Sequence, residues 1–427
     1  MKPVKSKQLA WEPQINPAES SPGRSFPEKN KEHGEKPDGI HQLRISIQSA
    51  KNIIVMKIND FKLERYFARH EFTAKYLFSS SDCDGYEMQY LLDCASKEEM
   101  ALWESIKLGY TESEGNPILR EAILQYYKLK TIENVVVASP GELNFISMNV
   151  LLTSKDHAIS VSPCYQSLSE VVKSIHCELS FWEAKPEKWE FEPADLVQLI
   201  KPNTKLLILN FPHNPTGNYL TRKQLDEVVS IAKKHDLYIF SDEMYHKLII
   251  DDMEELPPIA DIYEKGISLW GTSKTFGLAG LRTGWLVSSD TDFLKKVVAF
   301  KDYLSICNSA PSEILSIIAL NHIDKFLLPN LKKIKENIQL FSAYAAQHPI
   351  ISSFTPPKAG STAFVKLNIN TSALEFSDRL VEETGIMTVP AEMFDYQGKY
   401  IRVGFGRRNF PEVLETLDRY FRKIKEH

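Results

Sequence analysis

The pattern of apolar and polar positions changes along the chain, and from about residue 100 short apolar runs alternate with stretches of helical periodicity. The runs are mainly apolar and lack a strict alternation with polar residues, which is typical of strands that are covered on both faces. Strands are predicted at 134–139, 157–163, 204–210, 237–242 and 267–270. This alternation predicts an α/β fold with a mostly parallel sheet, and functional residues at the carboxyl ends of its strands.

The clearest helical pattern runs from Thr221 to His235. Thr221 followed by Gln224 predicts a capping box at its start, because each side chain can bond the main chain of the other. A basic and aromatic stretch, Lys57 to Lys75, predicts a helix that leads into the fold. A long polar helix is predicted from Asp324 to His348.

Three regions follow from these patterns. Residues 1–50 are rich in Pro, Glu, Lys and Ser, and they are predicted to be a disordered extension. Residues 51–320 are predicted to form an N-terminal arm and the large domain. Residues 321–427, with strands predicted at Thr362–Leu367 and Tyr400–Phe405, are predicted to form a smaller C-terminal α/β domain.

Composition limits the classes of partner. The 427 residues carry 51 Lys+Arg and 56 Asp+Glu, a net charge of −5, which gives no reason to expect nucleic acid or an anionic membrane. No apolar run approaches the roughly 18 residues of a membrane span. The five cysteines are scattered and form no CxxC pair, so we expect reduced thiols, a cytoplasmic protein and no metal site.

A lysine stands out in the stretch GTSKTFGLAGLRTGW. Most lysines are solvated surface cations, but Lys274 follows a predicted buried strand, and its small neighbours let a bulky ligand approach the main chain. A desolvated lysine amine can form a Schiff base with an aldehyde. Arg282, in the same stretch, is a fixed cation suited to a phosphate.

Two further strands end in polar residues. Asp242 ends the strand at 237–242, where a carboxylate is either a turn residue or a partner for a protonated pyridine nitrogen. Tyr245, shortly after it, can donate a hydrogen bond to a phenolate oxygen. In NFPHNPTG the prolines on either side of His213 and Asn214 indicate either a simple turn or a rigidly held amide.

In this order, the Asn-Pro-x-Gly, Asp-x-x-Tyr, Ser-Lys and Arg motifs resemble those of class I/II aminotransferases, which are fold-type-I pyridoxal-phosphate enzymes. The resemblance covers about residues 60 to 425. It implies an aspartate-aminotransferase-like fold, pyridoxal 5'-phosphate as cofactor, and an amino acid and a 2-oxo acid as substrates.

The resemblance also implies roles for single residues. Lys274 would carry the cofactor covalently and act as catalytic base and acid, and Asp242 would pair with the ring nitrogen. Asn214 and Tyr245 would hydrogen-bond the ring oxygen O3′, with Asn214 also near the substrate. Arg282 would bind the phosphate.

Four more residues resemble family positions. Tyr165 matches the aromatic residue stacked on the ring, and Gly141 matches the phosphate-binding turn at a helix start. Arg402 matches the residue that binds the substrate α-carboxylate. Tyr110 resembles the tyrosine that reaches the phosphate in the neighbouring subunit, which implies a homodimer with shared active sites.

The chain departs from the family pattern near the phosphate. Glu142 stands where Ser or Thr is common, and Gly271 stands where Ser is frequent. Two hydroxyl contacts would therefore be missing, and Glu142 would repel the phosphate unless it points away. Thr272 and Ser273 are the candidates to replace the hydroxyls.

The segment that usually covers the substrate reads SSSDCDG here, at residues 79–85, without the usual glycine near Ser81. Ser81 is its candidate substrate-binding residue. The segment resembles the capreomycidine-synthase-like branch, whose members act on arginine-derived amino acids.

The sequence leads to three hypotheses about function. The leading hypothesis is an aminotransferase of amino-acid metabolism or biosynthesis. The alternative is elimination, replacement or cyclisation with the same cofactor, on an amino acid such as an arginine derivative. A third, the non-catalytic effector domain of a transcription regulator, needs a helical DNA-binding domain in front, for which residues 1–50 are too polar.

Overall fold

A computed structural model describes residues 57–129, 131–250 and 253–425. The predicted disordered extension, residues 1–50, lies outside the described residues. The strands are β1 (Tyr76–Leu77), β2 (Val135–Ala138), β3 (His157–Ser162), β4 (Glu178–Glu183), β5 (Thr204–Asn210), β6 (Tyr238–Asp242), β7 (Gly266–Gly271), β8 (Gly284–Ser288), β9 (Ile351–Ser353), β10 (Thr362–Leu367), β11 (Ile386–Met387), β12 (Val389–Pro390) and β13 (Tyr400–Gly404). The helices are α1 (Lys62–His70), α2 (Met88–Asp93), α3 (Lys97–Glu104), α4 (Pro117–Leu124), α5 (Pro140–Leu151), α6 (Ser167–Ser174), α7 (Pro193–Leu199), α8 (Arg222–Lys234), α9 (Thr291–Lys301), α10 (Ala310–Asn321), α11 (Asp324–Gln347), α12 (Ala373–Thr384) and α13 (Phe410–Lys425).

The large sheet has seven strands in the order β2-β8-β7-β6-β5-β3-β4. All neighbours in it are parallel except at β8, which is antiparallel to both β2 and β7. β2 and β7 are buried along their whole length, and β5 and β6 are buried except at their first residues, in agreement with the apolar runs of the sequence. The prediction of a mostly parallel sheet in an α/β fold is confirmed.

Two strands of this sheet were missed by the sequence patterns. β8 begins at the last two residues of the stretch GTSKTFGLAGLRTGW, and its short apolar GWLVS run directly follows the motif. β4 is an edge strand, with exposed glutamates at both ends and only Trp182 fully buried. An edge strand with a polar face carries neither a continuous apolar run nor a clean alternation, so its signal is weak.

The helices largely follow the predictions. α8 begins after Thr221, which forms the predicted capping box with Gln224. α1 is shorter than the predicted Lys57–Lys75 because Phe61, its N-cap, has extended main-chain angles, and because the chain turns after His70. In the described part of the chain no single helix is long and apolar enough to cross a membrane, although α10 and α11, bent by 73°, pass the length and composition test as a pair.

A second, antiparallel sheet in the order β12-β13-β10-β9 lies in the C-terminal part of the chain. Its hydrophobic core also includes Tyr76, Phe78 and Leu248, which come from before residue 320. The parallel pairing of β1 with β11 joins the N-terminal arm to the same region. The domain boundary at residues 320 and 321 remains a prediction.

Candidate active site

The carboxyl ends of β5, β6 and β7 meet at one edge of the large sheet. Asn210, the last residue of β5, is in register with Asp242, the last residue of β6. A cavity of about 420 Å³ opens at this edge. Most of the sequence-predicted site residues line it: Ser81, Gly141, Tyr165, Asn214, Asp242, Tyr245, Lys274, Arg282 and Arg402.

Lys274 lies in this cavity, in the turn that follows β7. Its Nζ atom donates a hydrogen bond to the Oγ atom of Ser81 at 2.8 Å. Ser361 in turn donates its hydroxyl hydrogen to the main-chain oxygen of Ser81 at 2.7 Å. The arm segment 79–85 is therefore attached directly to the lysine, a contact that the sequence did not predict.

Asp242 is a buried carboxylate at the end of β6, with 5% of its surface exposed. Burial raises its pKa from 3.8 to about 6. The main-chain N–H of Met244, which donates to Oδ1 at 3.2 Å, and the positive charge of Lys274 act in the opposite direction. Asp242 is therefore suited to pair with a buried cation that enters the cavity.

Asn210 is a cavity residue that the sequence analysis missed. Its Nδ2 atom donates to the main-chain oxygen of Asp242 at 3.1 Å, and its Oδ1 atom accepts from the N–H of Asn214 at 3.1 Å. Asn210 therefore fixes both neighbouring site residues. Its position as the last residue of an apolar strand, equivalent to that of Asp242, is the signal that could have found it.

Arg402 projects from β13, and it is almost fully buried at 1% exposure. Its Nε atom donates to the main-chain oxygen of Ser79 at 3.0 Å, and its Nη1 atom donates to Oδ1 of Asn214 at 3.1 Å. Within the described residues its Nη2 atom has no partner, and neither has the buried hydroxyl of Tyr245. A buried unpaired donor is costly, so both groups indicate a ligand that supplies acceptors.

The opposite end of the cavity is formed by the start of α5 and by Arg282. The hydrogen bond that closes the first turn of α5 runs from the N–H of Leu143 to the main-chain oxygen of Ser139. The N–H groups of Gly141 and Glu142 come before this bond in the chain. Such N–H groups and the helix dipole attract an anion. The exposed guanidinium of Arg282 adds a positive charge at the same place.

Three predicted site residues do not line the cavity. The hydroxyl of Thr272 donates to the main-chain oxygen of Thr283 at 3.1 Å, so Ser273, which does line the cavity, is the better placed hydroxyl. The carboxylate of Glu142 accepts from the hydroxyl of Ser305 at 2.7 Å and points away from the cavity. Tyr110 is 88% exposed on another surface.

The space around Gly271 is too small for a serine side chain. A Cβ atom at this position would lie 2.8 Å from the main-chain oxygen of Thr283 and 3.0 Å from the Cα atom of Gly284. Pro140, at the start of α5, closes the same space at 3.3 Å. The hydroxyl that is missing here therefore has no room, because α5 packs closely on β7 and β8.

The side of the cavity opposite the strand ends is formed by the N-terminal arm, which comprises residues 57–87. Glu64 and Phe67 of α1, Glu71 at its end, and Asp82 all line the cavity. Tyr165 donates its hydroxyl hydrogen to Oε1 of Glu64 at 2.8 Å. The spacing i, i+3, i+7 of Glu64, Phe67 and Glu71 places them on one helix face, and this was the overlooked signal.

The fold and the cavity together define an α/β enzyme with a lysine, a buried carboxylate and a buried arginine around one ligand space. The model of the family "Aminotransferase class I and II" matches residues 73–417. The chain belongs to this family. Pyridoxal 5'-phosphate is the cofactor, and the fold is aspartate-aminotransferase-like.

Individual relatives differ in their named activities. The chain is 27% identical to capreomycidine synthase of Streptomyces vinaceus over 276 residues, which is 64% of this chain and 70% of the relative. It is 27% identical to an aspartate aminotransferase of Pyrococcus horikoshii, with 73% of this chain and 81% of the relative covered. A solved PLP-dependent aminotransferase from Streptococcus suis matches with a TM-score of 0.80 and 28% identity, covering 86% of this chain and 99% of the other.

The residues present fit the cofactor. The buried carboxylate of Asp242 suits the ring nitrogen, and the unpaired hydroxyl of Tyr245 suits the ring oxygen. The start of α5 and Arg282 provide a place for the phosphate. The unpaired Nη2 atom of Arg402 remains available for the substrate.

Proposed function

We propose that this chain is an aminotransferase, which moves an amino group between an amino acid and a 2-oxo acid. One observation carries the proposal: Arg402, buried and with an unpaired Nη2 atom, lines the same cavity as Lys274 and Asp242. A carboxylate-binding arginine beside an amine and a buried acid is the set of groups that amino-acid chemistry with this cofactor needs.

Three residues would polarise the ring of the cofactor. Asp242 would keep the ring nitrogen protonated, while Tyr245 and Asn214 would donate hydrogen bonds to the ring oxygen. When bound, the cofactor supplies an aldehyde carbon that combines with amines and a ring that accepts electrons. Tyr165 would stack on the ring, and its hydroxyl donates to Oε1 of Glu64 at 2.8 Å.

Lys274 would carry the cofactor and move the proton. Its amine would take the proton of the substrate Cα atom as general base and return it as general acid. Arg402 and Asn214 hold the α-carboxylate, which fixes the orientation of the Cα–H bond. The 3.1 Å bond between Arg402 and Asn214 keeps the two groups together before the substrate arrives.

The phosphate binds at the start of α5. The N–H groups of Gly141 and Glu142 precede the first closed turn, and Arg282 and Ser273 line the same cavity. Glu142 contributes its main chain only, because its carboxylate is bonded to Ser305. Thr272, which the sequence also suggested, is not available to the phosphate, because its hydroxyl and its main-chain N–H both donate to the main-chain oxygen of Thr283.

The test is a single-substrate reaction of the purified protein, followed by absorbance and by mass analysis of the products. An aminotransferase without an added oxo acid stops after one half-reaction, with the amino group left on the cofactor. Addition of a 2-oxo acid should then restore the original spectrum. Sustained turnover with one substrate contradicts transamination.

A second reaction type is favoured by the arm. The contact between Lys274 and Ser81 and the 27% identity to capreomycidine synthase support an elimination, replacement or cyclisation on an amino acid such as an arginine derivative. Such an enzyme returns to its starting state without a second substrate. The same experiment therefore separates the two reactions.

We further propose a homodimer in which Tyr110 reaches the cofactor phosphate of the partner subunit. Tyr110 and Leu108 are 88% and 86% exposed, and Tyr303 is 90% exposed. The buried Nζ atom of Lys301 donates to the main-chain oxygens of Ser113 and Ile306, so it joins the two segments that carry these residues. Large exposed apolar patches are typical of interfaces.

The dimer is tested by sedimentation and by mixing subunits. Lys274→Ala and Tyr110→Ala subunits, each inactive or weak alone, should recover activity when mixed, because one of the two sites in a mixed dimer is complete. A fully active monomer contradicts the proposal. Tyr90→Ala, the same change at a partly exposed tyrosine outside the cavity lining, serves as control.

We also propose that the enzyme works in the cytoplasm. All five cysteines are free, and Cys83, Cys164 and Cys177 are buried. Free buried thiols are typical of reducing compartments. Fractionation of cells that produce the protein tests this location.

A further inference from the structure

The arm side of the cavity carries three carboxylates whose role the proposed reaction does not explain. Glu64, Glu71 and Asp82 line the same cavity as Lys274. The proposed chemistry uses one buried acid, Asp242, on the opposite side. Like charges that share a cavity repel one another, so a carboxylate on this face without a direct partner favours a ligand that carries a cation.

The three carboxylates differ in their partners. Glu64 accepts from Tyr165 at 2.8 Å, and Asp82 pairs with Nη2 of Arg407 at 3.0 Å. Among the described residues, the Glu71 side chain makes no hydrogen bond and no ion pair. Burial, followed by the charges of Asp82 and Glu64, raises its pKa. The positive charges of Arg407 and Lys274 act in the opposite direction on this pKa, but within the described residues neither side chain pairs directly with the Glu71 carboxylate.

An independent observation indicates what the ligand carries at its other end. The unpaired Nη2 atom of Arg402, in a side chain that is 1% exposed, needs an acceptor such as a carboxylate. Burial lowers the pKa of Arg402, and Tyr245, Tyr165, Asp82 and Glu64 act against this effect. The arginine and the acidic face are therefore close enough for one small molecule to reach both.

Phe67 separates the two glutamates on the helix face and lines the cavity. The guanidinium carbon of Arg402 lies 5.9 Å from the centre of its ring. An aromatic surface between two carboxylates suits an alkyl chain that ends in a cation, because the ring packs against the chain and attracts the charge. The α-amino group is not this cation, since it is used at Lys274.

We propose that the amino-acid substrate has a positively charged side chain, an ammonium or a guanidinium, which Glu71 binds with support from Glu64 and Asp82. This inference rests on the proposed function of the same cavity. Arg402 then holds the α-carboxylate, Lys274 faces the Cα atom, and the side chain extends along Phe67 to the acidic face. The side-chain charge, rather than its size alone, decides which amino acids bind.

The experiment compares matched amino acids on the cofactor-loaded protein. Arginine and citrulline have nearly the same shape and differ in charge, as do lysine and norleucine. Half-saturation is read from the change in cofactor absorbance. Arginine should bind about tenfold more tightly than citrulline or better, which is the size expected for one charged hydrogen bond.

Glu71→Gln should remove this preference by weakening arginine about tenfold while leaving citrulline unchanged. Glu87→Gln is the matched control, because Glu87 is an exposed glutamate of the same arm outside the cavity lining.

If Glu71→Gln keeps the preference for arginine, the inference is wrong. If no amino acid of any charge alters the cofactor absorbance, the proposed function itself fails; if neutral or acidic amino acids bind as well as arginine, only this inference fails.

A second measurement does not depend on activity. Since the pKa of Glu71 is raised in the folded protein, its ionised form destabilises the fold once the pH rises through that pKa. Glu71→Gln should therefore raise the melting temperature at neutral pH without ligand, and the gain should vanish in acid. Equal melting curves across the pH range would remove the electrostatic basis of the inference.

Discussion

The two sides of the cavity are built in different ways. On the strand-end side, Asp242 and Asn210 are fixed by the register of neighbouring parallel strands, and both are buried. On the arm side, Glu71 and Ser81 are partly exposed and lie outside the large sheet. The comparison suggests that the sheet fixes the shared chemistry, whereas the arm is free to change which substrate is accepted.

The arm depends on tertiary contacts for its shape. α1 has nine residues, and a helix of this length is marginal in isolation. Its own side chains Leu63 and Tyr66 are buried, and the main-chain N–H of Lys62 donates to Oε1 of Gln166 at 2.9 Å. Substitutions on its cavity face can therefore change recognition without disturbing these anchoring contacts.

The largest expected effect comes from breaking the strand-end side at Lys274. Lys274→Ala removes the amine that carries the cofactor and moves the proton, so turnover should fall at least about a thousandfold while the fold is retained. Borohydride reduction followed by peptide mapping should locate the cofactor on the peptide that contains Lys274. Lys296→Ala, at an exposed lysine of α9, should leave both results unchanged.

Label on a peptide without Lys274 would contradict the assignment. Retained turnover in Lys274→Ala would contradict it as well. Either result would mean that the strand-end side is not the reacting side of the cavity.

The second effect tests whether Arg402 belongs to the shared chemistry. Arg402→Ala should weaken amino-acid binding by about 2–5 kcal/mol, because it leaves the carboxylate unpaired in a buried place. Decarboxylated amines, which have no carboxylate to lose, should bind as before. Cofactor affinity, measured by absorbance titration, should change little.

Equal losses for amino acids and for decarboxylated amines would mean that Arg402 supports the cavity wall rather than binding the carboxylate. Arg422→Ala, at an arginine that pairs with Asp418 on α13, provides the matched control.

The same contrast explains how far the sequence could predict the molecule. The strand ends were predictable because apolar runs locate buried strands, and parallel strands bring their carboxyl ends to one edge. Asp242 and Lys274 could be placed in this way, and the fold followed. β8 and β4 were missed because a motif and an edge position hid their patterns.

The arm was not predictable to the same depth. The contact of Ser81 with Lys274 joins residues that are far apart in sequence, and no local pattern encodes such a pairing. Glu142 was recognised as unusual, but only the bond to Ser305 shows that its carboxylate points away. Thr272 and Ser273 are neighbours, and the tight packing around Gly271 decides which hydroxyl faces the cavity.

A smaller effect concerns the charge on Asp242 in the cofactor-free protein. Its pKa is 3.8 ordinarily and about 6 in the fold, so stability is lost as the pH rises between these values. Asp242→Asn removes this loss, and its advantage in unfolding free energy should grow to at most about 3 kcal/mol above pH ~6.

Chemical denaturation at several pH values measures the difference, which should be absent below pH ~4. The cofactor should then stabilise the parent protein more than Asp242→Asn, since it supplies the cation that the carboxylate lacks. If the difference in unfolding free energy between the two proteins is the same at every pH, burial does not destabilise the charged form of Asp242.

The smallest effect sharpens the boundary between the two sides, because the bond from Lys274 to Ser81 is where they meet. Ser81→Ala removes one hydrogen-bond acceptor from the lysine amine, and one such bond contributes about 0.5–1.5 kcal/mol. Turnover should fall roughly two- to tenfold at saturating substrate. Ser361→Ala, which loses only the bond to the main-chain oxygen of Ser81, should act in the same direction and more weakly.

If the arm only selects substrates, Ser81→Ala will instead change the half-saturation concentration and leave maximal turnover intact. Measuring the two constants separately with arginine and citrulline therefore decides whether the arm also orients the catalytic amine.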